Sequence, residues 1–222
     1  MAGRYSPDVD FVSPTRFVDS THPDVVAWAT EVVGDAVDDR TKAVRLFYAV
    51  RDDIRYDPYV ATSSEDQYRA SEILRQDRNW CVPKAILLCA GSRAVGVPCR
   101  LGFADVKNHL ASPKLLEQMG TDLFAFHGYV EFRLDDTWRK ATPAFNIEMC
   151  TRFGVKPLDF DGLEDSLYHE FDVEGRRHME YVNERGTFED FPYDEMVRVF
   201  TEVYGGPPGD AAADQHDELF HG

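Results

Sequence analysis

Four cysteines and seven histidines are the chain's candidates for nucleophilic or metal chemistry. Cys81, Cys89, Cys99 and Cys150 form no CxxC pair and fit neither a disulfide framework nor a zinc ribbon. No HExxH or comparable cluster occurs, which disfavours metal-assisted hydrolysis. Cys81 stands apart by position. The segment CVPKAILLCAGSRAVGVPCR reads as a helix with chemically defined ends: Pro83 is tolerated only in a first turn, and Gly96 followed by Pro98 is a left-handed stop. Cys81 therefore opens the helix, where free N–H groups and the positive end of the dipole favour an anion, and a thiolate is a nucleophile. Cys89 and Cys99, inside and beyond that helix, read as small buried hydrophobes. The base would be His127, in the run LFAFHGYVEFRLDD, where Phe124, Phe126, Val130, Phe132 and Leu134 share one strand face and His127, Tyr129, Glu131 and Arg133 the other. A thiol and an imidazole are the parts for acyl transfer through a thioester. The other histidines, His22, His109, His169, His178, His216 and His221, lack ligand-like spacing and read as surface residues.

The elements that must position these two groups are legible from periodicity. Residues 23–55 carry two helical patterns, closing at Tyr56-Asp57-Pro58, and a short helix is expected from Ser71 as its N-cap. After the Cys81 helix the period drops to about two, giving strands at 99–106, 123–134 and 137–142 around a polar loop at 107–121. Helices followed by antiparallel strands predict an α+β fold. If Asp135-Asp136 is a two-residue turn, Arg133 faces Trp138, a cation–aromatic pair, and Glu131 faces Lys140. The same register sets His127 opposite Ala144, with Thr142 and Asn146 as diagonal neighbours able to orient the imidazole. The expected organisation is an extended arm over 1–22, one domain over 23–204 with an acidic extension from 147, and a disordered tail over 205–222.

The chain has 222 residues, 43% hydrophobic, with a formal charge of −16. Residues 157–222 hold 18 acidic and 4 basic side chains, so nearly all the excess lies in the last third, read as a solvated flank. That charge repels phosphate backbones and anionic lipids, which excludes nucleic acid and membrane surfaces as expected partners. With no long apolar run and no basic-then-apolar leader in MAGRYSPDVD, the chain reads as soluble and cytoplasmic, its thiols reduced.

The blocks NWCVPKAILLCAGSRAVGVPCRLG, FHGYVEF and WRKATPAF, in that order, resemble the transglutaminase-like superfamily over roughly residues 40–146. The resemblance implies a papain-like core with the Cys at the start of a central helix packed on an antiparallel sheet. It implies Cys81 as acyl-accepting nucleophile and His127 as its base, acting on a peptide or protein amide without metal or organic cofactor. The family's orienting Asp is missing: where it carries Asp-Pro-Thr, this chain carries Thr142-Pro143-Ala144. A threonine hydroxyl can accept from an imidazole N–H but brings no charge to stabilise an imidazolium. Asn146 is the second candidate, since papain-like proteases use Asn in this role, and Asp122, of the wrong parity, ranks below both. Oxyanion donors would be the Cys81 N–H and a side chain from Asn79 or Trp80. Lys84, in the first turn, reads as solvated. Two functions follow: a thiol enzyme acting on amides as peptidase, amidase or transamidase, or a catalytically silent domain binding peptides in the same cleft.

Overall fold

A helix that is apolar on every side must be covered on every side. The computed structural model, which describes residues 10–109, 111, 113–167, 174 and 179–209, builds its core on that requirement. The chain opens with α1 (Pro23–Val33), proline at its first position, and α2 (Asp39–Asp53), where Asp38 caps the Thr41 N–H at 2.8 Å. A two-residue strand β1 (Arg55–Tyr56) runs parallel to β2 (Arg78–Asn79), with the short helix α3 (Ala70–Ile73) between them. Then comes α4 (Cys81–Ala94), in which every residue from Cys81 to Arg93 is buried. Helices α1, α2 and α3 cover one side. A β-carbon at Gly91 would fall 2.5 Å from the Trp28 ring, so only glycine lets α1 come this close.

The other side of α4 lies on a four-stranded sheet ordered β5-β4-β3-β6, from β3 (Cys99–Asn108), β4 (Leu123–Leu134), β5 (Thr137–Ala141) and β6 (Met179–Phe188), every pairing antiparallel. Short helices α5 (Pro113–Met119) and α6 (Ile147–Phe153) fill the connections, and α7 (Tyr193–Tyr204) packs against β4. The α+β class and the antiparallel sheet under the Cys81 helix are as expected. Asp135 and Asp136 both have positive φ, 50° and 58°, and the ladder pairs Arg133 with Trp138 and Glu131 with Lys140, the expected register.

Several local expectations are corrected. Ser71 lies inside α3, because Asp19 takes both its N–H, at 3.1 Å, and its hydroxyl, at 2.6 Å. The segment 107–121 is not all loop, since β3 runs to Asn108 and α5 follows. The guanidinium over Trp138, 4.0 Å from the ring centre, is that of Arg100 on β3 rather than Arg133. The expected pairing of His127 with Ala144 does not form. The β4–β5 ladder stops at Val130 and Ala141, because Pro143 has no N–H to continue it, and Thr142 instead donates its N–H to Ser166 at 2.8 Å.

Residues 10–22 contain no helix or strand, yet Phe17 and Val18 are buried. Asp190 holds them: its carboxylate accepts the Thr15 hydroxyl at 2.7 Å and the N–H groups of Arg16 and Phe17 at 3.1 Å. Each neutral hydrogen bond of this kind contributes about 1 kcal/mol, more when the acceptor is charged. Asp190→Ala is expected to destabilise the fold by about 2–4 kcal/mol and Asp190→Asn by less than half of that, read from urea unfolding midpoints. Equal midpoints for Asp190→Ala and the parent chain would contradict this role.

Candidate active site

Cys81, His127 and Asn146, brought from α4, β4 and the start of α6, line one cleft of about 1100 Å³. Its remaining walls are mainly apolar, with Tyr56, Trp80, Phe124, Phe145, Met149, Phe200 and Tyr204 among them. The glycine after the histidine makes the junction possible. A β-carbon at Gly128 would stand 3.0 Å from the Val82 Cα and 3.3 Å from the Cys81 carbonyl oxygen, so the first turn of α4 rests directly on strand backbone. The backbone N–H groups of Gly128, Val82 and Cys81 itself pull the Cys81 thiol towards its anion.

Those donors favour a thiolate, but burial opposes them and prevails. With Cys81 only 6% exposed, desolvation pushes its thiol up to about 11, against the pull of the three N–H groups and Lys84. Burial alone lowers His127 to about 4. In the resting state both are neutral across the range between those values, and the helix N-terminus does not by itself yield the thiolate expected from sequence. Lys84 is not solvated: its side chain is fully buried and donates to the carbonyl oxygens of Arg51, at 2.9 Å, and Ile54, closing the end of α2. Desolvation lowers its ammonium to about 7.

The other sequence candidates are placed differently. The Thr142 hydroxyl is buried and has no hydrogen-bond partner among the described residues, and neither does His127 Nε2; the two are not bonded to each other. Asn146 offers its carboxamide oxygen to the Tyr56 N–H at 3.0 Å. Asn79 turns away from the cleft: its amide donates to Gln76 at 2.7 Å and its oxygen accepts the Trp80 N–H at 3.2 Å. Trp80 forms part of the cleft wall, its ring 5.6 Å from that of Phe200. Asp122 pairs with Lys107 at 3.2 Å. His109 stands 3.4 Å from Glu180, while His169, His178, His216 and His221 lie outside the described residues. Sequence reasoning missed Tyr56, Cys150 and Tyr204, all in the cleft wall. Only Tyr56, beside the Asp-Pro step, carried a local signal of a chain turn. Among the described residues no three His, Cys, Asp or Glu side chains are grouped to hold a metal ion, and no helix is long and apolar enough to cross a membrane.

The family model described as "Transglutaminase-like superfamily" matches residues 26–143, more than half of the chain and spanning both Cys81 and His127. The chain belongs to the transglutaminase-like superfamily. The matched span ends at Pro143, so Asn146, α6, β6 and α7 of this transglutaminase-like chain lie beyond it. Solved structures that resemble it include two candidate proteases. One, from Cytophaga hutchinsonii and described as a candidate cysteine protease, has 15% identity and a TM-score of 0.48, covering 83% of this chain and 55% of its own. Another, a candidate protease from Parabacteroides distasonis, has 14% identity and a TM-score of 0.38, covering 57% of this chain and 27% of its own. The chain thus spans about half and a quarter of the lengths of these two. No curated protein matches the sequence.

The depressed value of His127 has a consequence for stability. Because the folded state holds this imidazole neutral, the unfolded chain binds the proton first, and stability falls as pH drops from about 6.5 towards 4. Between pH 7.5 and 4.5 the parent chain is expected to lose about 2–3 kcal/mol more than His127→Gln, measured by urea unfolding of both proteins across that window. Parallel pH profiles would show that the imidazole is not held neutral.

Proposed function

We propose that this transglutaminase-like domain is a thiol enzyme acting on amide bonds, with Cys81 as nucleophile and His127 as general base. The observation that carries the reading is the meeting of both side chains in one cleft, where the first turn of α4 rests on the backbone of Gly128. Since thiol and imidazole rest neutral, the proton moves only as substrate arrives. His127 takes the Cys81 proton while the sulfur bonds to the carbonyl carbon. The C–N bond then breaks, and the amine leaves with the proton that His127 returns. Water or a second amine cleaves the thioester, giving an acid or a new amide and restoring the thiol. The N–H groups at the start of α4 are suited to hold the developing oxyanion.

The cleft also speaks to the substrate. Ligand pockets hold about 300–1,000 Å³, and a larger apolar cleft suits a peptide segment with aromatic or aliphatic side chains. The four free, buried cysteines fit a reducing compartment such as the cytoplasm.

A second reading has its own support. Among the described residues no carboxylate is bonded to His127, and a threonine whose hydroxyl has no partner among them stands at the position of the family's Asp, as a silent domain binding peptides in the cleft would allow. One experiment separates the two: turnover of fluorogenic peptide amides with apolar side chains by the parent chain, Cys81→Ser and His127→Ala, with intact-mass detection of a thioester. The enzyme reading expects a mass adduct on Cys81 and a loss of about 10³-fold or more in kcat/KM for each variant. Peptide binding without adduct or turnover would replace it with the silent domain.

A further inference from the structure

Beside His127 the strand is broken in a particular way. Along β3 and β4 the register pairs Ala104 with His127 and then Val106 with Phe124, so Ala125 and Phe126 together face Asp105. This is a β-bulge, two residues opposite one, and Phe126 sits in the left-handed region at φ 63°. Few residues without a glycine's freedom are held there unless their surroundings impose it. The bulge changes which side chains share a face. Strict alternation separates Phe124 from His127, yet both line the cleft.

A bulge frees backbone N–H groups from the ladder, and here two are caught by side chains. The Ala125 N–H donates to the Tyr204 hydroxyl at 2.7 Å, and that hydroxyl donates to the Leu123 carbonyl oxygen at 3.0 Å. The Phe126 N–H donates to Asp105 Oδ1 at 3.1 Å. Asp105 is itself fixed: Arg185 Nε and Nη2 donate to its two oxygens at 2.6 and 2.8 Å, and Asn183 donates to Oδ2 at 3.3 Å. The β3–β6 register shifts on both sides of Asp105, which lets a residue of β3 reach both neighbouring strands. Asn183, Arg185 and Tyr204 all lie beyond the matched span that ends at residue 143.

We propose that Asp105 and Tyr204 are positioning residues for His127. By taking the two N–H groups that the bulge frees, they set the backbone from which the imidazole projects, and so supply through the main chain the orientation that Thr142 does not supply through a side chain. Arg185, from the acidic last third of the chain, holds Asp105 in place. The inference rests on the reading of His127 as the base, but its geometry can be tested apart from turnover.

The test compares the parent chain with Tyr204→Phe, Asp105→Ala and Asp105→Asn. The readouts are the NMR resonances of the His127 imidazole, the exchange of the Ala125 and Phe126 amide protons, and turnover of the peptide amides. Tyr204→Phe removes one hydroxyl and keeps the ring. It is expected to speed Ala125 amide exchange by about tenfold, the loss of one hydrogen bond, and to move the His127 resonances. Asp105→Ala does the same at Phe126, and Asp105→Asn restores it, since a carboxamide oxygen accepts the same N–H; a purely ionic role for Asp105 would make both variants equally damaging. Turnover falls by about 10- to 100-fold wherever the His127 resonances move. Should Asp105→Ala leave Arg185 stranded and fail to fold, Tyr204→Phe decides the matter. His127 resonances in folded Tyr204→Phe that coincide with those of the parent chain overturn the proposal. Absent turnover in the parent chain, with those resonances still displaced in the variants, overturns the enzyme reading and leaves the positioning intact.

Discussion

The contact on which this molecule turns is the seating of the first turn of α4 against the backbone of β4 at Gly128. Once a helix buried on every side has its first turn seated on a strand, its N-terminal residue and the residue before that glycine must lie at one junction. The three helices over the far side of α4 and the sheet beneath it serve to keep that seat closed to water. A side chain larger than hydrogen at position 128 would push the helix off the strand, because the atoms it would meet belong largely to the main chain and to Ala85, which have nowhere to turn.

The same closeness explains the electrostatics. A helix N-terminus stabilises an adjacent anion by roughly 0.3–1 kcal/mol at an exposed site and up to about 2 when partly buried, whereas removing an ionisable group from water costs more than that. Cys81 has the favourable dipole, three N–H groups and a nearby lysine, and is still held protonated by burial. Lys84 shows the same balance from the other side: it lies near the thiol but is anchored to carbonyl groups at the end of α2 and is itself costly to keep charged. The junction holds its thiol and imidazole neutral rather than as a standing ion pair.

Much of this was readable from residue types because the signals were local. Pro83, Gly96 and Pro98 mark the ends of α4, and Asp135-Asp136 sets a two-residue turn whose register follows by counting. What stayed hidden depends on contacts far apart in sequence. Nothing in ATPAF says that the chain leaves β4 after Ala141 to pair with Ser166, and nothing near Lys84 says that α2 will end over it. The bulge at Ala125–Phe126 is the clearest case. The run LFAFHGYVEF alternates cleanly, so counting faces across it succeeds from His127 onward and fails before it, where the partners that impose the break come from β3 and α7.

The long reach of Tyr204 also bears on how the chain acquires its shape during synthesis. Domains are made from the N-terminus at a few to some twenty residues per second, and contacts between distant positions form last. The helices and the β4–β5 hairpin, up to Ala141, can assemble among themselves as they emerge. The Ala125 N–H and Leu123 carbonyl must wait for a partner about eighty residues downstream, and Phe17 waits still longer in chain terms for Asp190. A nascent chain therefore carries its cysteine and histidine for several seconds before the last turn of α7 can fasten the strand between them.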